Sequence, residues 1–169
     1  MLILNLAAVE RGEERVRGEI PTDDAFWEGT GIALLEPLAV EASARYVSPG
    51  VYVRAHLRTR LALECRRCLT AVEWPIDETV ELLYEPLSDE EIDQMEGDVY
   101  PLDLHAAELD LTEALREQLM LRVPQYVVCD EACRGLCPQC GANLNETECG
   151  CTPPEEPGPW DALKKIRFD

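Results

Sequence analysis

Basic residues are scarce in this sequence, which has 15 lysines and arginines against 34 aspartates and glutamates among 169 residues. The formal charge of −19 disfavours nucleic acid as a partner, because sequence-independent affinity for phosphate comes from lysine and arginine. It favours basic partners, or simply solubility. Long apolar runs are also missing, and the apolar start MLILNLAAVE has no basic region before it. We therefore expect a cytoplasmic protein with no signal peptide and no membrane-spanning helix.

The motifs of common enzyme classes are absent as well. There is no glycine-rich phosphate-binding loop and no G-x-S-x-G nucleophile motif. The only two histidines, His56 and His105, lack the spacing of metal ligands. Catalytic zinc keeps an open coordination position and often uses histidine, so the sequence does not favour a catalytic metal. We predict a protein that is not an enzyme.

Alternation of apolar and polar residues predicts an α+β fold, with an antiparallel sheet or partial barrel and a packed helix. The clearest alternation runs over 51–63 and resumes over 72–84, on either side of the segment LECRRCL. These strands form a hairpin whose tip is the CRRC turn. Arginines line its polar face, but an antiparallel register sets acids near them, which explains the stripe without a ligand. The expected neighbours are Arg58 and Asp77, Arg54 and Glu81, and Arg60 and Glu73.

Shorter patterns add further elements. Strands are expected over Leu2–Leu6 and from Leu38 onward, where the period becomes two. A helix is expected over 110–122, with Asp110 as its cap and its end before Pro124, because proline disfavours a helical residue before it. The apolar face of this helix would pack on the sheet.

The chain divides into three predicted regions. Residues 1–128 form the domain of sheet and helix, 129–151 a zinc-binding segment packed on it, and 152–169 a linker with a short terminal helix. Within the first region, the stretch 85–98 has seven acids and no basic residue. It is either a solvated loop or a landing site for a basic partner.

Eight cysteines carry the strongest signal, and six of them lie in CDEACRGLCPQCGANLNETECGC, residues 129–151. In a cytosolic protein such spacings indicate metal ligands rather than disulfides. We predict two structural zinc ions with four thiolates each. One site would use Cys137, Cys140, Cys149 and Cys151. The other would use Cys65, Cys68, Cys129 and Cys133, the last two on one side of a helical turn.

The spacing leaves a second pairing open. Cys65 and Cys68 could join Cys137 and Cys140 in a single zinc ribbon, with four thiols left over. A thioredoxin-like role for CRRC is disfavoured, because that role requires a turn from strand to helix, whereas this turn lies between two strands.

The order of these motifs resembles the bacterial YceD family, also described as large ribosomal RNA subunit accumulation proteins. The motifs are LECRRCL, the acidic stretch, YPLDL, DLTEALREQL, CDEACRGLCPQCGANLN with a closing CGC, and PWDALKKI. The resemblance runs from about residue 35 to the end, and CRGLCPQCGANLN is its most specific part. It implies a role in 23S rRNA accumulation and large-subunit biogenesis. Genes of family members commonly neighbour that of a small ribosomal protein of the large subunit.

Together, acidity and resemblance suggest how the protein works. We hypothesise that it holds a basic ribosomal protein, or a large-subunit assembly intermediate, until rRNA competes for the basic surface. The candidate contacts are Glu90, Glu91 and Asp93. One alternative is a direct rRNA-binding module that uses Arg54, Arg58, Arg66, Arg67 and the basic tail. Another is a zinc-ribbon adaptor for a different machine, such as RNA polymerase.

Overall fold

A five-stranded sheet dominates the protein in a computed structural model that describes residues 2–87 and 99–152. Its strands are β2 (Glu14–Ile20), β3 (Leu38–Val47), β4 (Gly50–Glu64), β5 (Ala71–Glu85) and β6 (Val99–Pro101). They lie side by side in chain order. Neighbours run antiparallel, except that the short edge strand β6 is parallel to β5.

Smaller elements surround this sheet. They are β1 (Ile3–Asn5), α1 (Leu6–Arg11), a 3₁₀ turn (Ala25–Trp27), β7 (Glu108–Asp110) and α2 (Thr112–Arg122). Strands β1 and β7 pair antiparallel in a sheet of their own. In the ranges that the structure describes, every helix is too short or too polar to cross a bilayer.

The long hairpin of β4 and β5 follows from its alternating sequence. Its register sets Arg58 opposite Asp77 and Arg54 opposite Glu81, as predicted. Arg60 also pairs with Glu73 as predicted, at 3.0 Å. Asp77 pairs differently, because its carboxylate lies 2.6 Å from Nε2 of His56 rather than beside Arg58. An apolar side chain at every second position gives the hairpin one buried face and one polar face.

The buried face of the sheet packs against α1 and α2 in one hydrophobic core. Helix α2 contributes Leu115 and Leu119 to this core, and Leu111 precedes the helix; all three are fully buried. Burial of each such side chain contributes about 1.5–3 kcal/mol. The polar face of the sheet therefore points away from α2.

The N-terminal elements differ from those predicted. The strand ends at Asn5, because the Asn5 side chain accepts a hydrogen bond from the Ala8 backbone N–H and caps α1. Neither α1 nor β2 was predicted, since the segment ERVRGEI has few apolar residues. Helix α2 begins at Thr112, whose N–H donates to the Asp110 carboxylate at 2.9 Å.

Strands far outnumber helices in the described residues. The antiparallel sheet is confirmed, whereas the α+β class and the partial barrel stay predictions. The division at 128 and 151 also stays a prediction. The terminal helix predicted within 152–169 falls in 153–169, outside the described residues.

Candidate metal centres

The tip of the β4–β5 hairpin presents two sulfurs in one tight turn. The Leu69 N–H donates to the Cys65 carbonyl at 2.9 Å, and the Arg67 N–H points at the Cys65 sulfur from 3.4 Å. Leu69 itself has φ +61°, which lets the turn close. Cys65 and Cys68 are both buried.

The chain after α2 brings a second pair of cysteines to this tip. The Arg66 N–H donates to the Val127 carbonyl at 2.8 Å, which lays the segment along the hairpin. A turn at Asp130 then follows, in which the Cys133 N–H donates to the Asp130 carbonyl. Cys129 and Cys133 thus flank a tight turn rather than the helical turn predicted.

These four residues form the hairpin quartet, Cys65, Cys68, Cys129 and Cys133, in which all sulfurs lie within 4.8 Å of one another. The Cys65 and Cys133 sulfurs are 3.8 Å apart, and those of Cys68 and Cys129 are 3.5 Å apart. Three of the four residues are buried, and Cys129 is exposed.

The second group, the knuckle quartet, comes from one short segment of the chain, residues 137–151. Its members Cys137, Cys140, Cys149 and Cys151 also have sulfurs within 4.8 Å of one another. The Gly141 N–H donates to the Cys137 carbonyl at 2.9 Å, and Gly141 has φ +72°, a conformation that favours glycine. Only Cys137 is buried.

The thiols within each quartet compete for protons. Backbone N–H groups of its own turn lower the pKa of Cys137 to about 6. Burial raises the pKa of Cys65, but backbone N–H groups outweigh it and bring the value to about 6. Hydrogen bonds with neighbouring cysteines raise the pKa of Cys129 and of Cys151 to about 12. A cation at the centre of each quartet would relieve the repulsion that keeps the last thiol protonated.

Both quartets have the donor set of a structural metal site. A tetrahedral zinc ion binds thiolates at about 2.3 Å, which places the sulfurs about 3.8 Å apart. The sulfur separations in the hairpin quartet agree with that distance. Four thiolates suit zinc or iron and leave no coordination position open for a substrate. Each quartet can therefore hold a metal ion in a closed site, and zinc is compatible with both.

Two further residues hold these sites in place: Arg67, which the sequence suggested only as an RNA contact, and Asn145, which it did not single out. The Arg67 guanidinium donates to the Cys133 carbonyl at 3.0 Å and to the Glu131 carbonyl at 3.2 Å. The Asn145 side chain, from the knuckle loop, donates to the Cys133 sulfur at 3.3 Å. Asn145 thus links the loop of one quartet to a sulfur of the other. The motif GANLN contains it, but spacing alone does not reveal a hydrogen bond.

The other predicted site residues in the described part of the chain do not gather at one place. Arg54 and Arg58 lie on the polar face of the sheet, far along the hairpin from Arg66 and Arg67 at its tip. Arg67 is engaged with the segment of the hairpin quartet. Glu90, Glu91 and Asp93 lie outside the described residues.

This combination defines a small sheet protein with two groups of four cysteines, each able to hold a metal ion. A family model described as "Large ribosomal RNA subunit accumulation protein YceD" matches residues 53–167, a span that includes all eight cysteines. The chain belongs to the YceD family.

Two plant relatives carry the same description. Over 60 residues the chain is 35% identical to "Large ribosomal RNA subunit accumulation protein YCED homolog 1, chloroplastic" of Arabidopsis thaliana, which covers 36% of this chain and 19% of the relative. The protein of the same name in Zea mays is 43% identical over 47 residues, 27% of this chain and 16% of its own.

A Mycobacterium leprae protein is 29% identical over 110 residues, 64% of this chain and 49% of its own. In all three cases the matched segment spans less than half of the relative. No solved structure matches the chain.

Proposed function

We propose that this protein is a non-enzymatic, cytoplasmic factor for assembly of the large ribosomal subunit, needed for accumulation of its 23S rRNA. The family name and the names of the plant relatives support this role. We further propose that the protein acts by holding a basic ribosomal protein. The charge of −19 carries this part of the proposal, because it suits a cationic partner far better than a bare RNA.

Two zinc ions would make the protein a stable holder. The hairpin quartet would bind one ion and the knuckle quartet the other, each through four thiolates. When bound, zinc would supply structural cross-links only, since a closed thiolate shell offers no site for substrate. Binding free energy at such sites adds directly to folding stability.

The proposed contact surface begins at the acidic stretch that contains Glu90, Glu91 and Asp93. The described residues before and after this stretch belong to β5 and β6, which pair with Leu83 opposite Val99. Strand β6 adjoins α2, because the Tyr100 hydroxyl donates to the Glu117 carboxylate at 3.0 Å.

The exposed side of α2 would continue this surface. Met120 is 42% exposed and Leu121 is 68% exposed, beside a hollow of about 460 Å³ that Glu113 and Glu117 also line. Arg116 lines it too, but lies 3.8 Å from the Glu113 carboxylate. An apolar strip flanked by carboxylates suits an amphipathic segment rich in lysine and arginine. A single basic, amphipathic partner would therefore contact both the acidic stretch and α2, through ionic and apolar contacts.

Charge reversal tests this proposal. Purified basic proteins of the large subunit, each titrated singly into the zinc-loaded full chain, would be followed by isothermal calorimetry. Glu90→Lys, Glu91→Lys and Asp93→Lys together should weaken binding about tenfold or more and flatten its dependence on salt. The control Glu10→Lys, Asp23→Lys, Glu64→Lys carries the same change in net charge on other surfaces. Unchanged affinity in the first variant, or equal losses in both, would defeat the proposed surface.

A further inference from the structure

The polar face of the sheet carries a basic hollow of about 330 Å³, which is unexpected in so acidic a chain. Three arginines line it, Arg15, Arg17 and Arg54, against one carboxylate, that of Glu41. The hydroxyl-bearing residues Ser43 and Thr79 also line it. The local balance therefore opposes the sign of the whole molecule.

Strand pairing assembles this hollow from three strands. Arg15 of β2 lies opposite Ser43 of β3, and Ser43 lies opposite Arg54 of β4. Neighbouring strands are about 4.8 Å apart, so the two arginines start about 10 Å from each other on either side of a small residue. Their guanidinium groups can reach a common anion from two sides. The prediction of an arginine stripe along the hairpin did not include β2, which supplies two of the three.

The cations of the hollow are only partly neutralised. Arg17 lies 3.5 Å from the Glu41 carboxylate and Arg15 lies 3.1 Å from that of Glu13, but the arginine side chains remain 75% and 72% exposed. Such exposed pairs are weak and readily exchange partners. Arg54 makes no ion pair with any residue in 2–87 or 99–152.

The carboxylate that the register sets opposite Arg54 forms no ion pair with it in the described residues. Glu81 lies opposite Arg54, and its negative charge and hydrogen-bonding oxygen raise the pKa of the neighbouring Tyr52. Tyr52 also lies under the guanidinium of Arg45, which is 5.0 Å from the ring centre. The sheet thus presents an aromatic ring and a further arginine beside the hollow.

We propose that this face binds the phosphate backbone of RNA, with Arg15, Arg17 and Arg54 as the phosphate contacts. Arginine forks match phosphate oxygens in pairs, and exposed sheet faces with an aromatic ring suit single-stranded RNA. An acidic peptide would meet the same cations, but it would gain nothing from Tyr52 and Arg45 as stacking surfaces. The inference goes beyond the proposed function and does not rest on it. Because α2 lies across the core, RNA here would leave the acidic surface free.

The test uses the zinc-loaded full chain and a short fluorescent single-stranded RNA of mixed sequence, followed by anisotropy between about 50 and 200 mM salt. The variant Arg15→Gln, Arg17→Gln, Arg54→Gln should bind about tenfold more weakly at low salt. The slope of log affinity against log salt should fall by about 2, or 0.7 for each lost contact. The control Arg11→Gln, Arg122→Gln, Arg134→Gln removes the same charge outside the hollow and should bind nearly as the wild type does.

A second variant guards against misfolding. Ser43→Asp places a carboxylate between two of the arginines, removes none of them, and should weaken RNA binding by itself. Circular dichroism would show that each variant keeps the sheet. Equal losses in the triple variant and its control would show that binding follows net charge alone, and would overturn the proposal. Equally tight binding of a polyglutamate peptide, with the same response to the variants, would overturn it in favour of an acidic protein partner.

Discussion

The two cysteine quartets each offer four sulfur donors, but they connect different parts of the structure. In the hairpin quartet, Cys65 and Cys133 are separated by 68 positions in the sequence, and Cys68 and Cys129 by 61. Three of its four members are buried. The knuckle quartet lies entirely within 137–151, and only Cys137 is buried. What a metal centre contributes to stability therefore depends on what it connects, because a cross-link between distant segments restrains more of the unfolded chain.

The largest expected effect separates the two quartets directly. Cys65→Ser should cost one metal ion and more than about 4 kcal/mol of unfolding free energy, because it removes a buried ligand from the centre between hairpin and C-terminal segment. Native mass spectrometry and denaturant unfolding would measure both quantities. Elemental analysis of the same samples would distinguish zinc from iron.

The matched variant is Cys137→Ser, which removes a buried ligand of the other quartet. It should also lose one metal ion, but a different one, and leave the unfolding midpoint of the sheet nearly unchanged. One ion lost by both variants would favour the single ribbon of Cys65 and Cys68 with Cys137 and Cys140. A wild-type protein with no metal would reopen redox chemistry for these thiols.

Chelation should distinguish the quartets by rate. An excess of chelator should take the ion of the knuckle quartet first, at least about tenfold faster, because three of its four cysteines meet solvent and its loop opens locally. Time-resolved mass spectrometry of wild type and of the two serine variants would identify which ion leaves. Simultaneous loss of both would mean that the centres open as one unit.

A smaller difference in unfolding free energy is expected between alanine substitutions at Gly135 and at Gly141. Gly135 and Gly141 have φ of +75° and +72°, but a Cβ at Gly135 would lie 3.1 Å from the Arg67 carbonyl oxygen, whereas at Gly141 it would meet nothing within 4 Å. Gly141→Ala should cost about 1 kcal/mol for the backbone conformation alone. Gly135→Ala should cost about 1 kcal/mol more, because the carbonyl must also shift. Thermal unfolding measures both, and equal costs would contradict the packing argument.

The smallest expected effect concerns the link between the quartets. Asn145→Ala removes the hydrogen bond to the Cys133 sulfur and should destabilise the protein by about 1 kcal/mol. It should also speed loss of the ion from the hairpin quartet, although Asn145 lies in the other loop. Unchanged release from the hairpin quartet would show that the two centres are independent.

The sequence predicted most reliably what depends on period and spacing. Strict alternation fixes which side chains share a face, and the CRRC turn limits how the two strands align, so the strand pairing of Arg58 with Asp77 followed from both. The division of the cysteines into two quartets likewise agrees with the structure. The strand β2 escaped prediction, because its pairing with β3 rather than its own composition stabilises it. Hydrogen bonds such as those of Arg67 span about 65 residues and leave no periodic trace.

The wide separation of the hairpin quartet has a consequence for synthesis. At about 5–20 residues per second, a ribosome makes Cys129 roughly 3 to 12 seconds after Cys68. Throughout that interval the nascent chain carries only half of the site, and the thiols of Cys65 and Cys68 are exposed to oxidants and to other metal ions. The thiols of the knuckle quartet emerge nearly together by comparison. Under metal shortage or oxidative stress, we therefore expect the hairpin cysteines to be oxidised first, while the protein is still being translated.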